Sequence, residues 1–195
     1  GNLLGREQSG HAQAVGFDTY LRWLQEAVDA LKGTGETGAA AGPHPAPDVV
    51  LDQPAFLSED YVPDDAARLD VYRRLALAVH PGDIQPLREE LRDRFGPLPE
   101  AAERLVLVSE LRALGAQAGL ETVLVRGDEA RLSFRREATP RLAALGAALD
   151  AVQFEADVRR SVPLSLRLRR LGGAGIGPGL VRALAALTPD SPHTA

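Results

Sequence analysis

The chain contains no cysteine and no methionine in its 195 residues. The first absence excludes disulfides, thiolate metal sites and cysteine nucleophiles. The second leaves it without an initiator residue, and it starts on Gly1-Asn2 in mid-pattern. We therefore expect a piece taken from the C-terminal part of something longer. Aromatic residues make up only 5% of the sequence, so Leu, Val and Ala must fill any core. There is no 18-residue apolar run and no cationic leader followed by an apolar stretch, so the expected location is cytoplasmic. Positive charge is also in deficit. A net charge of -5 argues against a surface devoted throughout to nucleic acid, while leaving local basic patches open.

What is present has the composition of a folded protein, with 45% hydrophobic and 25% charged residues. Phe17, Tyr20, Leu21, Leu24, Ala27, Val28 and Leu31 recur at helical spacing, and Lys32-Gly33 ends that helix. Gly33 to Pro47 reads GTGETGAAAGPHPAP, too rich in Gly and Pro for regular structure, and is a predicted linker. Beyond it, DVVLDQPAFLSEDYVPDD starts with a short strand-like run. Helices are then predicted from about Asp64 to Val79, along the stripe Ile84, Leu87, Leu91 and Phe95, and from Pro99 to about Ala118. His80-Pro81-Gly82 and Gly96-Pro97 break the series.

After Gly119 the period changes to two, and Gly127-Asp128 falls between two β-prone runs as a hairpin tip. Thr139-Pro140 opens another helix, VQFEADV and PLSLRLRR read as a second pair of strands, and a last helix spans Leu180 to Leu187. Helices mixed with strands without regular alternation imply an α+β fold, its helices packed on a small mixed or antiparallel sheet. The domain reading is a separate amphipathic segment at 1–32, a linker at 33–47, an α+β domain at 48–188 and a disordered tail at 189–195.

Few stretches carry chemistry. GGAGIGPG, from Gly172 to Gly179, has neither the dinucleotide fingerprint nor a Walker A ending, and reads as a flexible turn. His11, His44, His80 and His193 are scattered without metal-ligand spacing, so no metal is expected. No Gly-x-Ser-x-Gly occurs to place a serine nucleophile. Arg126-Gly127-Asp128 is explained as a hairpin turn, and Arg167 and Arg169 as one solvated strand face with some capacity for anions. PLREELRDRFG is more informative. Glu90 and Asp93 are neighbours on one helical face with Glu89 beside them, and Arg88, Arg92 and Arg94 lie within intrahelical reach.

The opening GNLLGREQSGHAQAVGFDTYLRWLQEAVDALKG, the segment EDYVPDDAARLDVYRRLA and the segment LREELRDRFGPLPE, in this order, resemble the C-terminal part of the bacterial transcription-repair coupling factor (Mfd) family. The opening looks like the end of the translocation motif shared with the RecG helicase, in which Gln8 matches the loop glutamine and Gly5 and Gly10 supply the turns. The remainder looks like the family's regulatory domain.

The resemblance implies a parent protein that moves along double-stranded DNA by hydrolysing ATP with Mg, displaces stalled RNA polymerase and recruits UvrA for nucleotide excision repair. The chain itself carries no Walker motif, so no catalysis and no cofactor are expected of this fragment. By resemblance, its domain masks the UvrA-binding module of the same protein and restrains the motor, with Glu90 and Asp93 at the contact and Glu89 beside them. Two other readings stand beside this one: an accessory region of a RecG-like helicase, and a generic interaction domain that meets protein, or DNA through Arg167 and Arg169.

Overall fold

Burial that alternates with a period of two along three strands sets the sheet. The computed structural model describes residues 45–138, 142–159, 162–171 and 175–187. Strands β1 (Asp48–Leu51), β2 (Leu120–Arg126), β3 (Glu129–Phe134), β4 (Phe154–Arg159) and β5 (Ser165–Arg170) form one sheet of order β1-β2-β3-β5-β4. The β1 and β2 pair is parallel and the other pairs are antiparallel, so the fold is α+β with a mixed sheet.

Register brings Val49, Val123, Leu132 and Leu166 into one row and Leu51, Val125, Ala130 and Leu168 into the next row of that face. Those on β2, β3 and β5 are all buried. The opposite face carries Leu124, Arg131 and Arg167 in one row and Arg126, Glu129 and Arg169 in another. On the edge strand β4 only Phe154 is buried, and Glu155, Asp157 and Arg159 put charge along it, which discourages pairing with further chains.

Gly127 and Asp128 join β2 to β3 as a two-residue turn. Only Gly127 has a positive φ, at 55°, the pattern of a type II′ turn with glycine first. Its N–H donates to Asp52 Oδ2 at 2.9 Å, which ties the turn to the end of β1.

Five helices lie among the described residues: α1 (Asp65–Leu77), α2 (Pro81–Phe95), α3 (Glu100–Ala118), α4 (Leu142–Ala151) and α5 (Gly177–Ala185). The described residues fall into two compact units. One combines Gln53–Leu77 with Pro86–Val106, and the other takes residues 45–52, Ala78–Gln85 and residues 107–187, including the whole sheet.

In the first unit the loop before α1 is held from several sides. Asp64 Oδ1 accepts the Ala67 N–H at 2.7 Å and so caps α1. Arg68, only 7% exposed, donates to the Val62 carbonyl at 2.6 Å and pairs with Asp65 and Glu59. The Leu57 N–H donates to the Tyr72 hydroxyl at 2.9 Å. Burial pushes the Tyr72 phenol up, against the opposing pull of that N–H and of Arg68.

The expected break at His80-Pro81-Gly82 is present: α1 ends at Leu77, two residues before the expected Val79, and α2 begins at Pro81. Proline suits a first helical position, and Asp83 Oδ2 accepts the N–H groups of His80 at 3.0 Å and Val79 at 3.3 Å. The last helix begins earlier than Leu180, at Gly177, inside the stretch read as a flexible turn. Gly179 is there for closeness, since a Cβ would lie 2.7 Å from Cζ of the buried Phe154 ring. The Thr139-Pro140 cap lies outside the described residues.

Gly179→Ala should therefore destabilise the protein by about 1–3 kcal/mol through overpacking. Gly146→Ala, in α4 with no atom within 4 Å of the added Cβ, should instead raise stability by roughly 0.5–1 kcal/mol. Urea denaturation of the two variants checks both signs, and equal effects would refute the close-approach account.

Candidate protein interface on the second helix

Helix α2 places Ile84, Leu87 and Leu91 in the core, none more than 2% exposed. Its C-terminal end is fixed from outside the helix. The Tyr61 hydroxyl lies 2.9 Å from the Gly96 carbonyl and 3.2 Å from that of Leu91, its single proton shared between them. The Tyr61 ring meets Phe95 edge-on at 5.9 Å, and the Arg94 guanidinium sits 4.9 Å from the Phe95 centroid. Gly96, at φ 87°, closes the helix, its N–H donating to the Arg92 carbonyl at 2.9 Å.

On this anchored helix the predicted acidic residues have different surroundings. Glu90 borders the buried stripe, with its side chain 31% exposed. Arg74 of α1 donates to Glu90 Oε2 at 2.8 Å, and Arg94 donates to Oε1 at 2.8 Å. These two hydrogen bonds, Arg74's first, hold the Glu90 carboxyl below the ordinary value of 4.5. Asp93, one turn on, is exposed and has no ion-pair partner among the described residues. Glu89 is exposed beside them.

The intrahelical partners expected from spacing are therefore realised only in part. Arg94 reaches Glu90, whereas Arg88 is drawn to Glu103 of α3. Arg74 was missed because it lies 16 positions before Glu90, beyond any local spacing rule, and only the packing of α1 on α2 brings it there.

Other predicted positions lie elsewhere. Arg167 and Arg169 project from the outer sheet face as expected, but both are engaged. Arg167 Nη2 lies 2.9 Å from each Glu129 oxygen, and Arg169 Nη2 lies 3.0 Å from Glu155 Oε2. Gln8, Gly5 and Gly10 fall outside the described residues.

The family model of the TRCF domain matches residues 51–145, a stretch that includes α1, α2 and α3. Residues 51–145 thus carry the domain found in transcription-repair coupling factors. The chain is 41% identical over 129 residues to the transcription-repair-coupling factor of Mycobacterium bovis, an alignment covering 63% of this chain and 10% of that protein. It is 38% identical over 120 residues to the factor of Escherichia coli, covering 62% of this chain and 10% of that protein. The match thus spans about a tenth of the length of these curated relatives. A crystal structure of the C-terminal domain of transcription-repair coupling factor has a TM-score of 0.61 at 15% identity, covering 75% of this chain and 92% of that one, and so shares the fold.

A carboxylate held below its ordinary value stabilises the fold above its unfolded pKa, and that contribution is lost as pH falls through the lowered folded value. Glu90→Gln should therefore cost about 0.5–1 kcal/mol near neutral pH. The gap from the parent should narrow as pH drops from about 6 toward about 3. Denaturant unfolding across that range checks the sign, and a gap independent of pH would refute the ion-pair account.

Proposed function

We propose that this chain is a non-catalytic regulatory module of a transcription-repair coupling factor, and that the acidic face of α2 docks on the basic UvrA-binding module of the same protein. Docked there, it masks the surface that captures UvrA and restrains the motor until RNA polymerase is engaged. ATP hydrolysis with Mg, movement on double-stranded DNA and displacement of polymerase belong on this reading to the rest of the protein. The residues 33–47 serve as the tether, and Gln8 with Gly5 and Gly10 as the end of the motor's translocation motif.

The observation that carries the reading is Asp93, an exposed carboxylate without a described partner, one helical turn from Glu90 on a helix end held by Tyr61. A rigid helix presents such a group at little entropic cost, and a partner arginine can meet it bidentately. Glu90 then acts mainly as the fixed neighbour, its two oxygens already engaged by Arg74 and Arg94. An interface of a few exposed ion pairs is weak and salt-sensitive, which suits a contact that must open.

The division of roles separates the two acids experimentally. Asp93→Arg should weaken binding to the isolated UvrA-binding module, supplied in trans, by about tenfold or more while leaving the unfolding midpoint unchanged. Glu90→Lys should weaken binding and also lower stability, because it sets a third cation beside Arg74 and Arg94. Calorimetric titration and thermal melts read both outcomes. Unaltered affinity in Asp93→Arg would overturn the assignment of this face.

A further inference from the structure

The outer face of the sheet carries a positive island in a chain of net charge -5. A recess of about 150 Å³ opens there, lined by Leu124, Arg126, Glu129, Ala130, Arg131 and Arg167. Three arginines stand in it against one glutamate, an excess of two positive charges. Glu129 is committed to Arg167. Arg126 and Arg131 are both exposed, and neither side chain has a hydrogen-bond or ion-pair partner among the described residues. Cross-strand register sets Arg131 directly opposite Arg167, a like-charge pairing in which Glu129 neutralises Arg167 and leaves the Arg131 charge uncompensated.

The surroundings narrow the kind of anion. Leu124 sits directly between Val50 and Arg131 in its cross-strand row, and Val50 is 52% exposed. Apolar surface thus adjoins the two free guanidiniums. On the side of the edge strand, Asp157 stands directly opposite Arg167 and Glu155 directly opposite Arg169. A phosphodiester backbone repeats its charge every few ångströms and binds along extended basic tracks, which these acids interrupt. A short acidic segment of protein with an aliphatic side chain matches both parts of the surface.

We propose that the outer sheet face is a second docking surface, on which an acidic protein segment pairs its carboxylates with Arg126 and Arg131 and covers Leu124 and Val50 with an aliphatic side chain. The surface lies wholly within the unit that contains the sheet and uses no residue of the acidic face on α2. It therefore rests on residues other than those of the docking proposed for Glu90 and Asp93.

The test uses the 195-residue chain. Fluorescence anisotropy would follow binding of a labelled decapeptide of glutamates interrupted by two leucines, beside an all-glutamate decapeptide and a labelled DNA duplex. The leucine-containing peptide should bind most tightly. The paired substitution Arg126→Ala with Arg131→Ala should weaken it by about tenfold or more, and Arg159→Ala, on the edge strand, should not. Circular dichroism confirms that the variants fold, as expected for exposed positions. The proposal is overturned if the leucine-containing peptide shows no saturable binding, or if the paired substitution leaves its affinity unchanged. It is likewise overturned if the duplex binds in its place. Self-association that needs Arg131 in a chain that refuses the peptide would assign the face to a second copy instead.

Discussion

Everything in the larger unit depends on the register of β2, β3 and β5. Alternation puts Val123, Leu132, Leu166, Val125, Ala130 and Leu168 on one face, and all six are buried. Their burial, at about 25 cal/mol for each Å² of apolar surface, is the main force holding these strands together. The same alternation leaves Arg126, Arg131, Arg167 and Arg169 on the other face. The positive face is thus a geometric consequence of the core pattern. Which of its charges remain free is decided separately, by where Glu129 and Glu155 fall.

The smaller unit rests on polar anchoring of a loop to apolar helices. Arg68, Tyr61 and Tyr72 each bring one polar atom to a backbone group that the loop or a helix end leaves without a partner, while their remaining bulk is buried. Unpaired, each of those groups would cost on the order of 1–3 kcal/mol. Helix α2 therefore ends at a defined place, and the carboxylates it carries are presented on a firm support. Within that face the acids divide. Glu90 contributes to the contact of α1 with α2, whereas Asp93 is exposed and forms no ion pair among the described residues.

Much of this was legible in the sequence wherever periodicity and punctuation agree. Leu87 and Leu91 marked the buried stripe of α2, Gly96 its end, and Gly127-Asp128 the hairpin. The surface position of Asp93 followed from the same stripe. Long-range pairing was not legible. Nothing near Glu90 points to Arg74, and nothing near Arg167 points to Glu129, 38 positions away, because such pairs arise only when elements pack. The glycines that open α5 misled for a related reason. Seen locally, glycine signals freedom, but Gly179 is required by the ring of Phe154, which comes from another element.

The two-residue turn between β2 and β3 bears on how this part of the chain can change in length. Side chains alternate with a period of two, so a one-residue slip of β3 against β2 would turn Arg131 inward and Leu132 outward, and would do so along the whole strand. A single inserted residue at Gly127-Asp128 must be looped out or it inverts the strand that follows. Over evolutionary time the segment from β2 to β3 should keep a nearly fixed spacing, while length variation accumulates in connections that carry no register.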